Sequence, residues 1–78
     1  MSRNGVKPTH RKKLGEAIRR RRKCLILSQE RLAERVGCHR NYVGNVERGE
    51  QNVTVDMLVR FANSLKVKVT SLLVGLAD

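Results

Sequence analysis

Residues 29–48, QERLAERVGCHRNYVGNVER, constrain the fold more than any other stretch of this chain. They read as two short amphipathic helices joined by a tight glycine turn. Leu32, Ala33 and Val36 recur at helical spacing in the first, and Val43 and Val46 in the second. Gly37 stands just past the end of the first, where the backbone commonly turns left-handed and a Cβ is unfavourable. Helices that cross steeply need small groups at the crossing, and Ala33 and Gly37 supply them. The polar residues of the second helix, Arg40, Asn41 and Asn45, then fall on the side away from its partner.

The flanking segments extend the helical reading. Thr9 is a candidate N-cap for a first helix over about residues 10–24, with Leu14, Ala17, Ile18 and Arg22 near one face. By propensity alone, Gly15 weakens that helix slightly. Ser28 caps the helix over 29–36, with Glu30 in the first turn where the helix dipole favours an acid. The next helix covers about 40–47, with Cys38 and Val43 as a candidate hydrophobic staple, and Gly49 stops it. Thr54 caps a helix over 55–65, in which Leu58, Phe61, Ala62 and Leu65 share a face. A last helix over 69–76 carries Val69, Leu72, Leu73 and Leu76. No segment alternates with period two long enough to argue a strand, so the expectation is an all-α domain of five helices. Residues 1–9, with the only proline, read as a flexible basic N-terminal arm ahead of a domain over 10–78.

Charge is unevenly placed. Residues 1–25 hold ten Lys/Arg against one acid, whereas 26–78 hold seven against six, so nearly all of the net +10 sits in the first third. Such a field attracts polyanions, nucleic acid first and an anionic membrane surface second. Within the run Arg19–Lys23, most single members read as a solvated helix face. A chain of 78 residues is one domain and buries only about 60–65% of its unfolded surface, so a dimer is a natural source of added stability. No signal peptide or membrane-length apolar run is present, and a soluble cytoplasmic protein with reduced Cys24 and Cys38 is expected.

These features together point to duplex DNA. A major groove about 12 Å wide accepts one helix with its side chains, provided a second helix braces it from behind. Val43 and Val46 anchor the reading helix, and Arg40, Asn41 and Asn45 carry groups suited to base edges: Arg pairs with guanine and Asn with adenine. Gln29, beside the free N–H groups of its helix's first turn, suits a backbone phosphate.

At this point LSQERLAERVGCHRNYVGNVERGEQNVTVDMLVRFANSL resembles the Xre/Cro-type helix-turn-helix domain of phage repressors and many bacterial transcription factors, over about residues 12–74. The resemblance implies a lambda-repressor-like fold with the helix-turn-helix at 29–48, and a homodimer on a palindromic double-stranded DNA operator. It implies base contacts from Arg40, Asn41, Asn45 and His39, and phosphate contacts from Gln29 and Tyr42. Arg48 and Arg22 are grouped with the phosphate contacts, and Tyr42 reads equally well as a packing residue. It also implies a partly buried pair between Arg22 and Glu47, which has its own rationale in their places on the inner helix faces. Three positions depart from the family pattern. Ile26 stands where a glycine precedes Leu-Ser-Gln, which predicts a differently built turn; His39 caps weakly where Ser or Thr is usual; and Lys66 replaces the glycine that ends the next helix. Length and the proline-free ERGEQNVTVDML loop are similar to controller proteins of restriction–modification operons, although a phage-type repressor or an antitoxin shares these features.

Other functions find less support. Cys24 and Cys38 lie 14 residues apart without metal-ligand companions, so no metal or other cofactor is expected, and Cys38 reads as a small core residue. No catalytic arrangement or phosphate-cradling loop is visible, which argues against an enzyme. No small-molecule effector is evident. Leu72 is assigned to the core, and Val69, Leu73 and Leu76 to contact with a second copy. The competing readings are an antitoxin-type interaction module that also binds DNA, and a protein that coats RNA or membranes without sequence preference. The near-neutral second part and the scarcity of stacking aromatics argue against the latter.

Overall fold

The computed structural model describes residues 9–76, and these form five helices with no strand among them. They are α1 (Thr9–Cys24), α2 (Gln29–Val36), α3 (Arg40–Glu47), α4 (Val55–Leu65) and α5 (Val69–Leu72). Residues 1–8 of the expected arm lie outside the described residues. Thr9, expected as a cap, is instead the first helical residue of α1.

Local chemistry starts and stops the middle helices as their residues suggest. Ser28 accepts from the Arg31 N–H at 3.0 Å, and the Thr54 hydroxyl accepts from the Met57 N–H at 3.1 Å. Gly37 ends α2 in the left-handed region at φ 86°. His39 caps α3 despite its ring: Nδ1 accepts from the Asn41 N–H at 3.0 Å, and the proton of the neutral ring is thereby left on Nε2.

Three other helix ends share one closure. After α1, the Leu27 N–H donates to the Arg22 carbonyl and the Ile26 N–H to that of Lys23, each at 3.0 Å. The same paired bonds follow α3 around Gly49 and α4 around Lys66. This closure requires a left-handed residue, and Ile26 and Lys66 adopt φ 57° and 58°. The turn after α1 is therefore built with the left-handed residue the sequence argued against. The reason is tertiary: Leu27 and Val67, the residues that follow, pack against the core, while the Ile26 side chain stays 92% exposed.

The core gathers Leu14 and Ile18 of α1, Leu32, Ala33 and Val36 of α2, and Val43 and Val46 of α3, with Phe61, Ala62 and Leu65 of α4 and Leu72 of α5. Phe61, Ile18, Leu32 and Leu65 are among the largest fully buried side chains, each contributing about 1.5–3 kcal/mol by burial. Gly15 is what lets α1 meet the end of α3. A Cβ there would lie 2.3 Å from the Val46 carbonyl oxygen and 2.6 Å from that of Glu47.

The last helix is shorter than its apolar spacing predicts. It ends at Leu72, and a turn through Gly75 at φ 79° carries Leu76 back against the core. Lys13 holds that turn by donating from Nζ to the Gly75 carbonyl at 2.8 Å. The spacing of Val69, Leu72 and Leu76 thus reflects burial achieved partly by a turn.

Candidate nucleic-acid interface

The interface is built outward from a buried ion pair. Arg22 donates from Nε to Glu47 Oε2 at 2.6 Å and from NH2 to Oε1 at 3.0 Å. Its NH1 donates to the Leu27 carbonyl at 2.8 Å, and Gln29 Nε2 donates to Glu47 Oε1 at 3.0 Å. One buried carboxylate therefore ties the end of α1 and the start of α2 to the end of α3. Both partners are buried, and a two-pronged pair of this kind sets the relative position of the three helices more than it adds stability. Arg22 was expected in two roles. Its guanidinium lies under the surface and is committed to Glu47 and Leu27, which fits the structural role and leaves no exposed fork for a phosphate.

Braced in this way, α3 turns Val43 and Val46 inward, with Val43 fully buried. Its other face forms a cup of about 360 Å³ with the start of α2, lined by Gln29, Arg40, Asn41, Gly44, Asn45 and Arg48. Four expected contact residues from α3 and its end thus converge with Gln29 on one polar concavity. One N–H of the Gln29 amide is used by Glu47, and an amide nitrogen carries a second donor beyond that bond. Arg40 and Asn41 are exposed, and Asn45 is half-buried. Arg48 donates from NH2 to Asn45 Oδ1 at 2.6 Å and from Nε to Glu50 Oε1 at 3.2 Å.

Two candidates sit differently. His39 is exposed at the start of α3 with Nδ1 engaged as the cap, and is not among the residues lining the cup. The Tyr42 ring lies against Phe61, with centroids 6.3 Å apart and planes 23° apart, which favours its packing role. Burial pushes the Tyr42 phenol pKa up, and its neighbour Cys38 pushes in the same direction. Burial also raises the Cys38 thiol, opposed in part by the Arg60 guanidinium.

A helix-turn-helix family model, HTH_3, matches residues 18–72, most of the chain. This chain belongs to that helix-turn-helix family. It is 48% identical over 60 residues to the control protein C.SmaI of Serratia marcescens, covering 77% of this chain and 71% of that protein. It is similar to the restriction-modification controller protein C.AhdI of Aeromonas hydrophila, with a TM-score of 0.78 and 39% identity over 80% of this chain and 94% of that one. The P22 c2 repressor, solved in complex with a synthetic operator, superposes with a TM-score of 0.75 and 32% identity, again over 80% of this chain and 94% of that one.

In this helix-turn-helix protein the arginine run divides by environment. Arg19, Arg20 and Lys23 are exposed, Arg22 is buried, and Arg21 donates from Nε to the Leu65 carbonyl at 2.9 Å, closing the end of α4. The close contacts at Gly15 and Gly44 were not legible in the sequence. Their only sequence signal was a glycine inside a helix, which does not say what approaches it. The expected dimer residues also separate: Leu73 is 37% exposed, whereas Val69 and Leu76 pack partly against this chain's own core. Besides Ile26, exposed apolar surface lies at Val55, Val59 and Val74 as well as Leu73. No described helix is long and apolar enough to cross a membrane.

Proposed function

We propose that this chain is a sequence-specific, double-stranded DNA-binding transcriptional regulator of the restriction–modification controller type, acting in the cytoplasm as a homodimer on a palindromic operator. The observation that carries the reading is the cup, in which Arg40, Asn41 and Asn45 face outward on a helix whose opposite side is locked into the core. Arg40 and Asn41 read bases; Gln29 and the start of α2 hold a phosphate and set the register. His39 lies beside the reading face and contributes through Nε2–H. Residues 29–48 form the reading unit, and the exposed cations of α1 add sequence-independent attraction. Leu73, with Val55, Val59 and Val74, forms the contact with a second copy, which spaces two reading helices by about 34 Å along the duplex.

Selection of bound duplexes from a random pool tests this reading. The expected product is a palindrome with half-sites about one helical turn apart, and Arg40→Ala should cost roughly 1–3 kcal/mol per half-site at one base pair. Equal affinity for random and selected DNA at moderate salt refutes it. Co-purification of a different protein at fixed stoichiometry on the exposed apolar residues supports the antitoxin-type alternative.

A further inference from the structure

We propose that Arg48 is a positioning residue for base reading: it holds the Asn45 amide with its carbonyl turned inward and its NH2 group turned toward the DNA. The inference rests on the DNA-reading role proposed above and refines one contact within it.

The geometry is specific. A guanidinium carries only donors, so the Asn45 atom that meets Arg48 NH2 at 2.6 Å must be the carbonyl oxygen. The fork is held from its other edge by Glu50, which accepts from Arg48 Nε at 3.2 Å. Gly44 completes the seat. A Cβ at Gly44 would lie 3.2 Å from Arg48 NH1 and 3.8 Å from the central guanidinium carbon, so the missing side chain lets the guanidinium lie close against α3. Asn45 and Arg48 are three residues apart, a spacing that brings side chains together on a helix surface. Both side chains line the cup, so this pair sits where a base edge would enter.

The chemical consequence concerns which base Asn45 accepts. A free asparagine can rotate its amide and offer either a donor or an acceptor. With the carbonyl held by Arg48, the group presented is the NH2, which donates to purine N7, guanine O6 or thymine O4 and does not reward the amino group of cytosine. The Arg48–Glu50 side chains are about half exposed, and an exposed pair contributes little to stability. The effect of Arg48 therefore falls on selectivity and not on folding. This differs from a phosphate contact, the role its charge alone suggests.

The test compares the wild-type chain with Arg48→Ala, Arg48→Lys, Asn45→Ala and the double variant. Each is put through selection from random duplexes, followed by salt-dependent binding to the recovered site and to single-base variants. Wild type is expected to recover a defined site. Arg48→Ala should lower preference about tenfold at a single base pair in each half-site while leaving the thermal midpoint nearly unchanged. Arg48→Lys should behave likewise, because a lysine keeps the charge but lacks the fork that joins Asn45 to Glu50. Asn45→Ala should lose the same base pair, and the double variant should lose nothing more. Uniform weakening on every sequence, with a salt slope lower by about one and rescue by lysine, overturns the proposal and makes Arg48 a phosphate contact. Unchanged preference at every position in Arg48→Ala overturns it too. Failure of the wild type to recover any defined site refutes the DNA-reading function itself, and is thereby distinct from failure of the positioning role.

Discussion

Gly15 lies in the middle of α1, where helix propensity alone favours alanine by about 0.8–1 kcal/mol. The packing acts the other way. A Cβ at this position would meet the Val46 carbonyl oxygen at 2.3 Å, the Glu47 carbonyl oxygen at 2.6 Å and the Glu47 carbonyl carbon at 2.8 Å. All three are backbone atoms at the end of α3, so no side-chain rotation relieves the overlap. Restoring ordinary contact near 3.4 Å needs α1 and α3 to part by about an ångström. Overpacking of that kind costs about 1–3 kcal/mol, and the upper part of the range applies when backbone must move. Set against the propensity gain, Gly15→Ala should destabilise the domain by roughly 1–2 kcal/mol, lowering its thermal midpoint by about 5–15 °C. The same separation loads the Arg22–Glu47 bridge, which spans the two helices beside the contact. The assay is urea and thermal unfolding followed by far-UV circular dichroism, with the exposed helical substitution Glu16→Ala as a control for propensity alone. A Gly15→Ala midpoint equal to or above wild type refutes the close-approach argument.

Three further outcomes are expected. Ile26→Gly and Lys66→Gly should each stabilise the fold by about 0.5–1 kcal/mol, because relief of left-handed strain exceeds the added freedom of the unfolded chain; loss of stability in urea unfolding contradicts this. Glu47→Gln should cost about 3 kcal/mol by leaving Arg22 a buried, uncompensated charge, whereas the double change Arg22→Met with Glu47→Leu should recover most of it. A Glu47→Gln urea midpoint within error of wild type defeats the first half of that statement. Burial raises the Cys38 and Tyr42 pKa values in the folded state. Their stabilising effect is therefore complete below the ordinary values, about 9.0 and 10.0, and is lost as pH rises through the folded ones. Unfolding measured across the alkaline range should show that loss, and it should be smaller in Cys38→Ser and in Tyr42→Phe; an unchanged alkaline limb in both variants refutes it.

The limits of α2, α3 and α4 and the outward face of α3 were legible from residues alone. Their signals are short-ranged. Ser28 and Thr54 cap a helix from within three residues, Gly37 ends one by its own backbone freedom, and apolar spacing along α3 marks which side is buried. Other features depended on what the rest of the chain brought nearby. The place of Gly15 required the backbone of α3, and the division of the arginine run required Glu47 and Leu65 as acceptors. The left-handed Ile26 and Lys66 required burial of Leu27 and Val67 to outweigh a local preference, and the early end of α5 required a turn that returns Leu76 to the core. The stacking of Tyr42 on Phe61 likewise joins two helices that are distant in sequence. On α3, the residue types placed Asn45 on the outward face but did not give Arg48 as the partner of its amide oxygen. Periodicity and capping are settled by interactions within a turn or two of chain, so sequence alone determined the helices and their faces. Close approach, charge partners and amide orientation depend on atoms from distant segments, and only the tertiary structure decided those.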